Sequence, residues 1–313
     1  MEYFDSIYKK LGTKFDYFFF ESEAGPIGKE IVEKNSNIFE KSEGAIVFHA
    51  ENYNPKLHTR VFITKEDLPT YEAKELGLAQ IKYEKYKYDK SIVITGNEIN
   101  DYFKVLLCAM QQIFPDLAEK TTHISHGMLR LPTGKMSSRT GDIITAESLI
   151  EEVKSKVKND EIAAIAAIKY MILRQSIGGD IIFDIEKSVS TEGDSGVYLQ
   201  YSYARANSIL EKAKSENINL DIRCPSGWET TEIERMLYRF EEVVLRAGEE
   251  FEPHHITNYL TELARAFNSF YGNTIIVKSE DVASPYKVAL THAFTTIMKN
   301  GLNILGIEAP ERM

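Results

Sequence analysis

One change of pattern limits the folds open to this chain. Through about residue 135, short β-rich runs alternate with helical stretches, and from about Thr145 the sequence reads as nearly continuous helix. Gly44-Ala45-Ile46-Val47-Phe48 and Arg60-Val61-Phe62-Ile63 read as strands, and Ser91-Ile92-Val93-Ile94-Thr95 as a buried strand ended by Gly96. A helix is expected from about Asn100 to Ile113, stopping before Pro115. Strand followed by helix is the order that a parallel α/β sheet produces. Ligands of such sheets sit at the carboxyl ends of the strands, which directs attention to Gly96 through Asn100.

The second half follows other rules. Asp160 is placed to cap a helix whose apolar positions Ile162, Ile165, Ile168, Met171 and Ile172 fall at helical spacing. Thr231-Glu232-Ile233-Glu234 is a capping box. Pro253 and Ser284-Pro285 each open a further helix, and Gly301 reads as the end of the last one. The expected architecture is an α/β portion followed by an all-α helical bundle, with the boundary between residues 185 and 200. No internal repeat or low-complexity tract is visible.

Charge and cysteine usage remove several function classes. The formal net charge of −10 argues against a non-specific nucleic-acid binder, which needs a basic surface to release phosphate counterions. A protein that reads one shaped RNA with local patches and aromatic platforms is not excluded. No apolar run approaches 18 residues, so no membrane span is expected. Met1-Glu2-Tyr3-Phe4-Asp5 has no apolar stretch and is not a secretory signal. Cys108 and Cys224 are far apart, so neither a zinc site nor a disulfide framework is expected, and a reducing cytoplasmic setting fits.

Chemistry concentrates in Gly134-Lys135-Met136-Ser137-Ser138-Arg139-Thr140-Gly141. Glycines let such a loop close, hydroxyls and backbone N–H groups bond phosphate oxygens, and Lys135 supplies charge where a displacement at phosphorus accumulates it. The spacing is not that of a Walker A loop. As composition alone it is an ordinary Lys/Ser/Arg surface turn. As a string it resembles the Lys-Met-Ser-Lys-Ser motif of class I aminoacyl-tRNA synthetases.

The flanks narrow the likeness. His126-Gly127-Met128-Leu129-Arg130 resembles the strand leading into this motif in arginyl-tRNA synthetases. The run from Ser190 through Arg205 is similar to that family's entry into its anticodon-binding domain. Phe267-Asn268-Ser269-Phe270-Tyr271 resembles its penultimate-helix motif, and Leu305 through Met313 its usual C-terminus. The matches fall in family order along essentially the whole chain. His123-Ile124-Ser125-His126 looks like the other class I ATP motif, His-Ile-Gly-His, but that motif opens a helix long before the lysine loop. Here eight residues separate His126 from Lys135 and the segment reads as a strand, so the likeness is taken as accidental.

The resemblance implies a partial class I Rossmann-type fold in residues 1–144, a helical connecting region in 145–190 and an α-helical anticodon-binding domain in 191–313. It implies an arginine–tRNA ligase with L-arginine, ATP accompanied by Mg²⁺, and the tRNA for arginine as partners, and no tightly bound metal. Because the first ATP motif is missing, the chain alone is expected to be inactive. A non-catalytic tRNA- or partner-binding protein of the same build is the alternative. Implied catalytic residues are Lys135, Ser137 and Ser138, and implied ATP contacts are His126, Gly127, Met128, Lys135, Met136 and Arg139.

Arginine is a planar fork of donors that keeps its charge, so its pocket calls for carboxylates and an aromatic face. On the resemblance, Glu21 and Tyr71 match pocket positions. Glu75 stands where the family often has aspartate, one helical turn from Tyr71. Each carboxylate is, on its own, an ordinary surface residue. Ile99 stands where many relatives carry a glutamine for the substrate's α-amino group, so Glu98 or Asn97 would have to substitute. For tRNA, the resemblance implies Tyr271 and Met313 against the anticodon loop, with Gln200 and Arg205 as contacts near the junction. Residues 191–313 hold 12 Lys and Arg against 18 Asp and Glu, so affinity cannot come from bulk charge. Arg235, Arg239 and Arg246 recur at helical spacing, and pairing with neighbouring glutamates is the favoured reading of that stripe. Tyr198, Tyr201 and Tyr203 are expected mostly to pack between domains rather than to stack on RNA. Lys287 stands where relatives usually have arginine.

Overall fold

The structure is a computed structural model that describes residues 2–132 and 145–313. Lys135, Met136, Ser137, Ser138 and Arg139 lie outside the described residues. Contacts divide the chain into two compact units, residues 15–128 and residues 1–14 together with 129–313. The first helix, α1 (Glu2–Lys10), belongs to the second of these.

Within residues 15–128, helix α2 (Glu21–Lys34) is followed by strands β1 (Glu40–Ser42), β2 (Ala45–Phe48) and β3 (Arg60–Ile63). These three form an antiparallel sheet in chain order, not the parallel sheet that the strand–helix alternation suggested. The reason lies in the connection. Glu43 and Gly44 both take positive φ, 49° and 87°, the backbone that a two-residue hairpin turn requires. Gly44 is thus the turn, and the strand starts at Ala45.

Helix α3 (Tyr71–Lys85) lies against α2, and glycines set the distance between them. A Cβ on Gly77 would meet the carbonyl oxygen of Ala24 at 2.2 Å. No side chain larger than hydrogen fits at such a crossing.

The parallel part is a βαβ unit. Strand β4 (Ser91–Gly96) leads through α4 (Asn100–Ile113) and α5 (Pro115–Lys120) to β5 (Thr121–His126), in register from Ser91↔Thr121 to Gly96↔His126. The Ser91–Thr95 strand and the Asn100–Ile113 helix stand where the sequence put them. The expected burial of β4 does not hold within this unit, since Ile94 is 67% exposed. The core includes Phe48, Phe62, Leu76, Phe103 and Leu106, from β2, β3, α3 and α4, with Ile31 and Val32 of α2.

The other unit carries a short parallel ladder between β6 (Leu129–Arg130) and β7 (Ile181–Ile182), and the remaining elements among its described residues are helices. Helices α6 (Ala146–Lys156) and α7 (Glu161–Leu173) precede β7, and α8 (Ile185–Ser188) follows it. Asp160 caps α7 by accepting from the N–H groups of Ile162 and Ala163. Its buried face differs from the isoleucine stripe. Ala163, Ala164, Ala166 and Ala167 are buried with Ile168 and Met171, while Ile162 and Ile172 are partly exposed. Small side chains are selected because α9 (Gly196–Ser215) approaches closely, and a Cβ on Gly196 would stand 2.2 Å from the carbonyl oxygen of Ala166.

Four further helices complete the bundle: α10 (Glu232–Tyr238), opened by the Thr231–Glu234 capping box, α11 (Phe240–Glu250), α12 (His254–Asn273) and α13 (Ser284–Ile304). Phe267 of α12 stacks on Phe294 of α13 with ring centres 4.0 Å apart, beside the buried Leu260, Leu263 and Met298. Gly301 does not end α13. It lies buried inside the helix because a Cβ there would meet Leu260 Cδ2 at 2.6 Å. Among the described residues no helix is long and apolar enough to cross a membrane.

Candidate functional site

In residues 15–128 the structure brings Glu21 and Tyr71 to a residue that the sequence did not single out, with Glu75 beside it in sequence. Tyr71 and Glu75 lie one turn apart on α3, and Lys74 stands between them in sequence. Its ammonium donates to Glu21 Oε2 at 2.6 Å and lies 5.1 Å from the centre of the Tyr71 ring. The tight α2–α3 crossing holds the first turns of both helices in reach of each other. Tyr71 is 67% exposed, so its ring is presented outward and not spent on the core.

Glu75 is the less exposed carboxylate. Burial pushes its pKa above the ordinary value, with the Lys82 charge opposing and the Glu21 charge adding to the shift. Lys82, two turns further along α3, is itself pushed down by burial and donates to Ser91 Oγ at 3.0 Å. Tyr102 of α4 feels the same field. Burial first, then the charges of Glu75 and Glu72, push its hydroxyl upward. Beside it Arg60 bonds the buried Glu72 at 2.7 Å, and Arg60 Nε has no partner. Lys74, Lys82, Arg60, Glu72 and Tyr102 carried no motif. Only the helical spacing of Lys82, two turns beyond Glu75, signalled any of them.

A second group stands at the carboxyl ends of the parallel strands. Gly96 and His126 are register partners there, and Glu98 sits in a short 3₁₀ turn, Asn97–Ile99. The Glu98 carboxylate folds back over Gly96, where its Oε2 lies 2.2 Å from the place a Cβ would take. His126 is exposed, with Nδ1 at 2.9 Å from the Gly127 carbonyl oxygen; Gly127 is buried and Met128 about half exposed. Ile99 packs against the apolar core. Behind these ends His123 stacks flat on Phe103 at 3.9 Å and bonds Thr95 Oγ1 at 2.7 Å, its pKa pushed down by burial. Segment 123–126 is a strand, as expected.

The helical unit brings Arg205, Tyr271 and Met313 to one concavity of about 860 Å³, lined also by Tyr201, Lys212 and Arg312. The Arg205 guanidinium lies 4.7 Å from the Tyr201 ring centre and 5.4 Å from that of Tyr271. Asn268 anchors the arrangement. Its Oδ1 accepts from Arg205 at 2.7 Å, and its Nδ2 donates to Tyr198 Oη and Ser202 Oγ, each at 3.0 Å. The Phe267–Tyr271 motif is thereby explained, since Phe267 and Phe270 are buried, Asn268 fixes Arg205 and Tyr271 is presented outward.

Other expectations need correction. Gln200 is fully buried, and its amide donates to the Glu308 carbonyl oxygen at 2.8 Å, so it ties down the tail and offers no surface to a phosphate. Tyr198 and Tyr203 are buried in the helical core itself, and Tyr201 is exposed at the concavity. In the arginine stripe, Arg235 pairs with Glu232 as expected, although Arg246 takes Glu250. Lys287 is buried and bonded to Asp281 at 2.6 Å and to the Ile275 carbonyl oxygen at 3.1 Å, an internal brace.

Comparison with known proteins fits this geometry. Residues 5–179 match the model for the catalytic domain of class I tRNA synthetases (R), and residues 199–313 match the DALR anticodon binding domain. The arginine–tRNA ligase of Bacteroides thetaiotaomicron is 32% identical over 99% of this chain and 56% of its own length. Thermus thermophilus arginyl-tRNA synthetase superposes with a TM-score of 0.79 at 22% identity, covering 99% of this chain and 62% of that one. The Plasmodium falciparum arginyl-tRNA synthetase gives 0.78 at 19% identity, with 100% and 56% covered. The chain thus spans little more than half the length of the curated relatives it matches. Since the catalytic-domain match alone takes in more than half of its residues, the chain belongs to the class I arginyl-tRNA synthetase family.

Proposed function

We propose that this chain supplies the arginine pocket, one of the two ATP motifs and the anticodon-reading domain of an arginine–tRNA ligase. The ligase forms arginyl-adenylate and pyrophosphate from ATP and arginine, then transfers arginine to a hydroxyl at the 3′ end of its tRNA with release of AMP. The observation that carries this reading is the meeting of a cation with Glu21 and Tyr71, with Glu75 one turn away. It is the partner set that a guanidinium demands. Glu98 and His126, at the carboxyl ends of the parallel strands, are proposed for the substrate's polar end and for the nucleotide. Lys135 is proposed to meet the charge that builds at the α-phosphate, with Ser137 and Ser138 holding the loop, and Mg²⁺ enters as the counter-ion of ATP. Met136 and Arg139 join His126, Gly127 and Met128 as proposed nucleotide contacts. Residues 1–144, 145–190 and 191–313 are proposed as catalytic, connecting and anticodon-binding segments.

In the helical unit, Arg205, Tyr201 and Tyr271 form a platform with an exposed π face beside Met313, suited to unstacked bases. A reducing cytoplasmic setting is proposed along with this role. Arginine-dependent ATP–pyrophosphate exchange with the cognate tRNA present tests the proposal. The 313 residues hold one of the two ATP motifs, so exchange is expected only when a polypeptide bearing the other is added. Tight tRNA binding with no exchange in that mixture would instead favour a non-catalytic tRNA-binding role.

A further inference from the structure

Lys74 places a cation where the proposed substrate's cation would go. Its ammonium is 2.6 Å from Glu21 Oε2 and 5.1 Å from the Tyr71 ring centre, and its stem lies along Gly25 of α2. The lysine side chain is 26% exposed and the glutamate 64%, so the pair sits at the surface, where ion pairs are weak. One carboxylate, Glu21, meets this ammonium directly, and Glu75 lies one turn along α3 from Tyr71. The Lys74 ammonium offsets the Glu21 charge at short range, as Lys82 opposes that of Glu75.

We propose that Lys74 is an internal competitor for the arginine pocket, a tethered cation that holds Glu21 and Tyr71 in the unliganded protein and must be displaced by the incoming guanidinium. This rests on the arginine pocket proposed above. Displacement is feasible because a point charge gives way to a planar fork able to bond a carboxylate through two N–H groups while lying on an aromatic face. The tether lowers the apparent affinity by the worth of a surface pair, about two- to fivefold.

Calorimetric titration of the full chain with L-arginine, and with its uncharged isostere L-citrulline, tests this. Lys74→Met keeps the stem and removes the charge. L-arginine should then bind about two- to fivefold more tightly, while any citrulline affinity stays unchanged. Lys74→Arg should weaken arginine binding, because its own fork holds Glu21 more firmly. In a Glu21→Gln background, the Lys74→Met gain should vanish, which separates release of Glu21 from a general change of charge. Wild-type binding that is matched or weakened in Lys74→Met overturns the inference and leaves the pocket standing. A chain in which neither wild type nor any variant binds L-arginine overturns the pocket, and the inference with it.

Discussion

A Cβ built on Gly28 would stand 1.8 Å from the carbonyl oxygen of Ala73. That clearance decides how near α2 comes to α3, and with it whether Glu21 can reach Lys74. Gly28→Ala should therefore lower stability by about 1–3 kcal/mol, the usual cost of overpacking, read as a shifted midpoint in urea denaturation. Because the obstacle is backbone and not a flexible side chain, relaxation cannot absorb it cheaply. An unchanged midpoint would mean that the helices separate without loss.

Glu75 predicts a pH dependence with a definite sign. Burial raises its pKa above the ordinary 4.5, so the folded state holds the proton more tightly than the unfolded chain does. Its contribution to stability is then greatest at low pH and declines as pH rises from about 4.5 through the raised value. Glu75→Gln should remove that decline from the pH–stability profile. Arginine affinity runs the other way: a guanidinium needs the ionised carboxylate, so calorimetric affinity should fall as pH is lowered through the same window. Superimposable wild-type and Glu75→Gln stability profiles across that window would contradict the assignment.

Tyr271→Ala should weaken binding of the cognate tRNA by about 1–3 kcal/mol, the loss expected for one stacked base, with Tyr271→Phe close to wild type. Fluorescence anisotropy at fixed salt measures it. Since a stacking contact releases no counterion, the salt dependence of binding should be unchanged by Tyr271→Ala and reduced by Arg205→Ala if Arg205 meets a phosphate.

Asp160→Ala removes the acceptor for two N–H groups at the start of α7, bonded at 2.9 and 3.2 Å. Thermal unfolding should register a loss of about 1 kcal/mol. Asp160→Asn, which keeps an acceptor, should lose much less.

Lys135→Ala should reduce the exchange rate in the complemented mixture by about 10²- to 10³-fold, the scale for deleting one transition-state charge contact. A change confined to KM for ATP would instead make Lys135 a ground-state binding residue.

What the sequence determined by itself were the local signals: the strands read at 44–48 (its first residue proving to be the turn), 60–63 and 91–95, the helix at 100–113, the Asp160 cap and the capping box at Thr231. Each depends on neighbours within a few positions, which is why each could be read from them. The family motifs likewise pointed to Tyr71, Glu75, Arg205 and Tyr271 before any fold was known. Tertiary structure alone decided what distance along the chain conceals. It paired β1, β2 and β3 antiparallel, filled one face of α7 with alanines and kept Gly301 inside α13 against Leu260. It also turned Gln200 inward, and brought Lys74 to Glu21 across 53 positions. A carboxylate's partner and a glycine's necessity are properties of what packs opposite, and no local pattern encodes the opposite side.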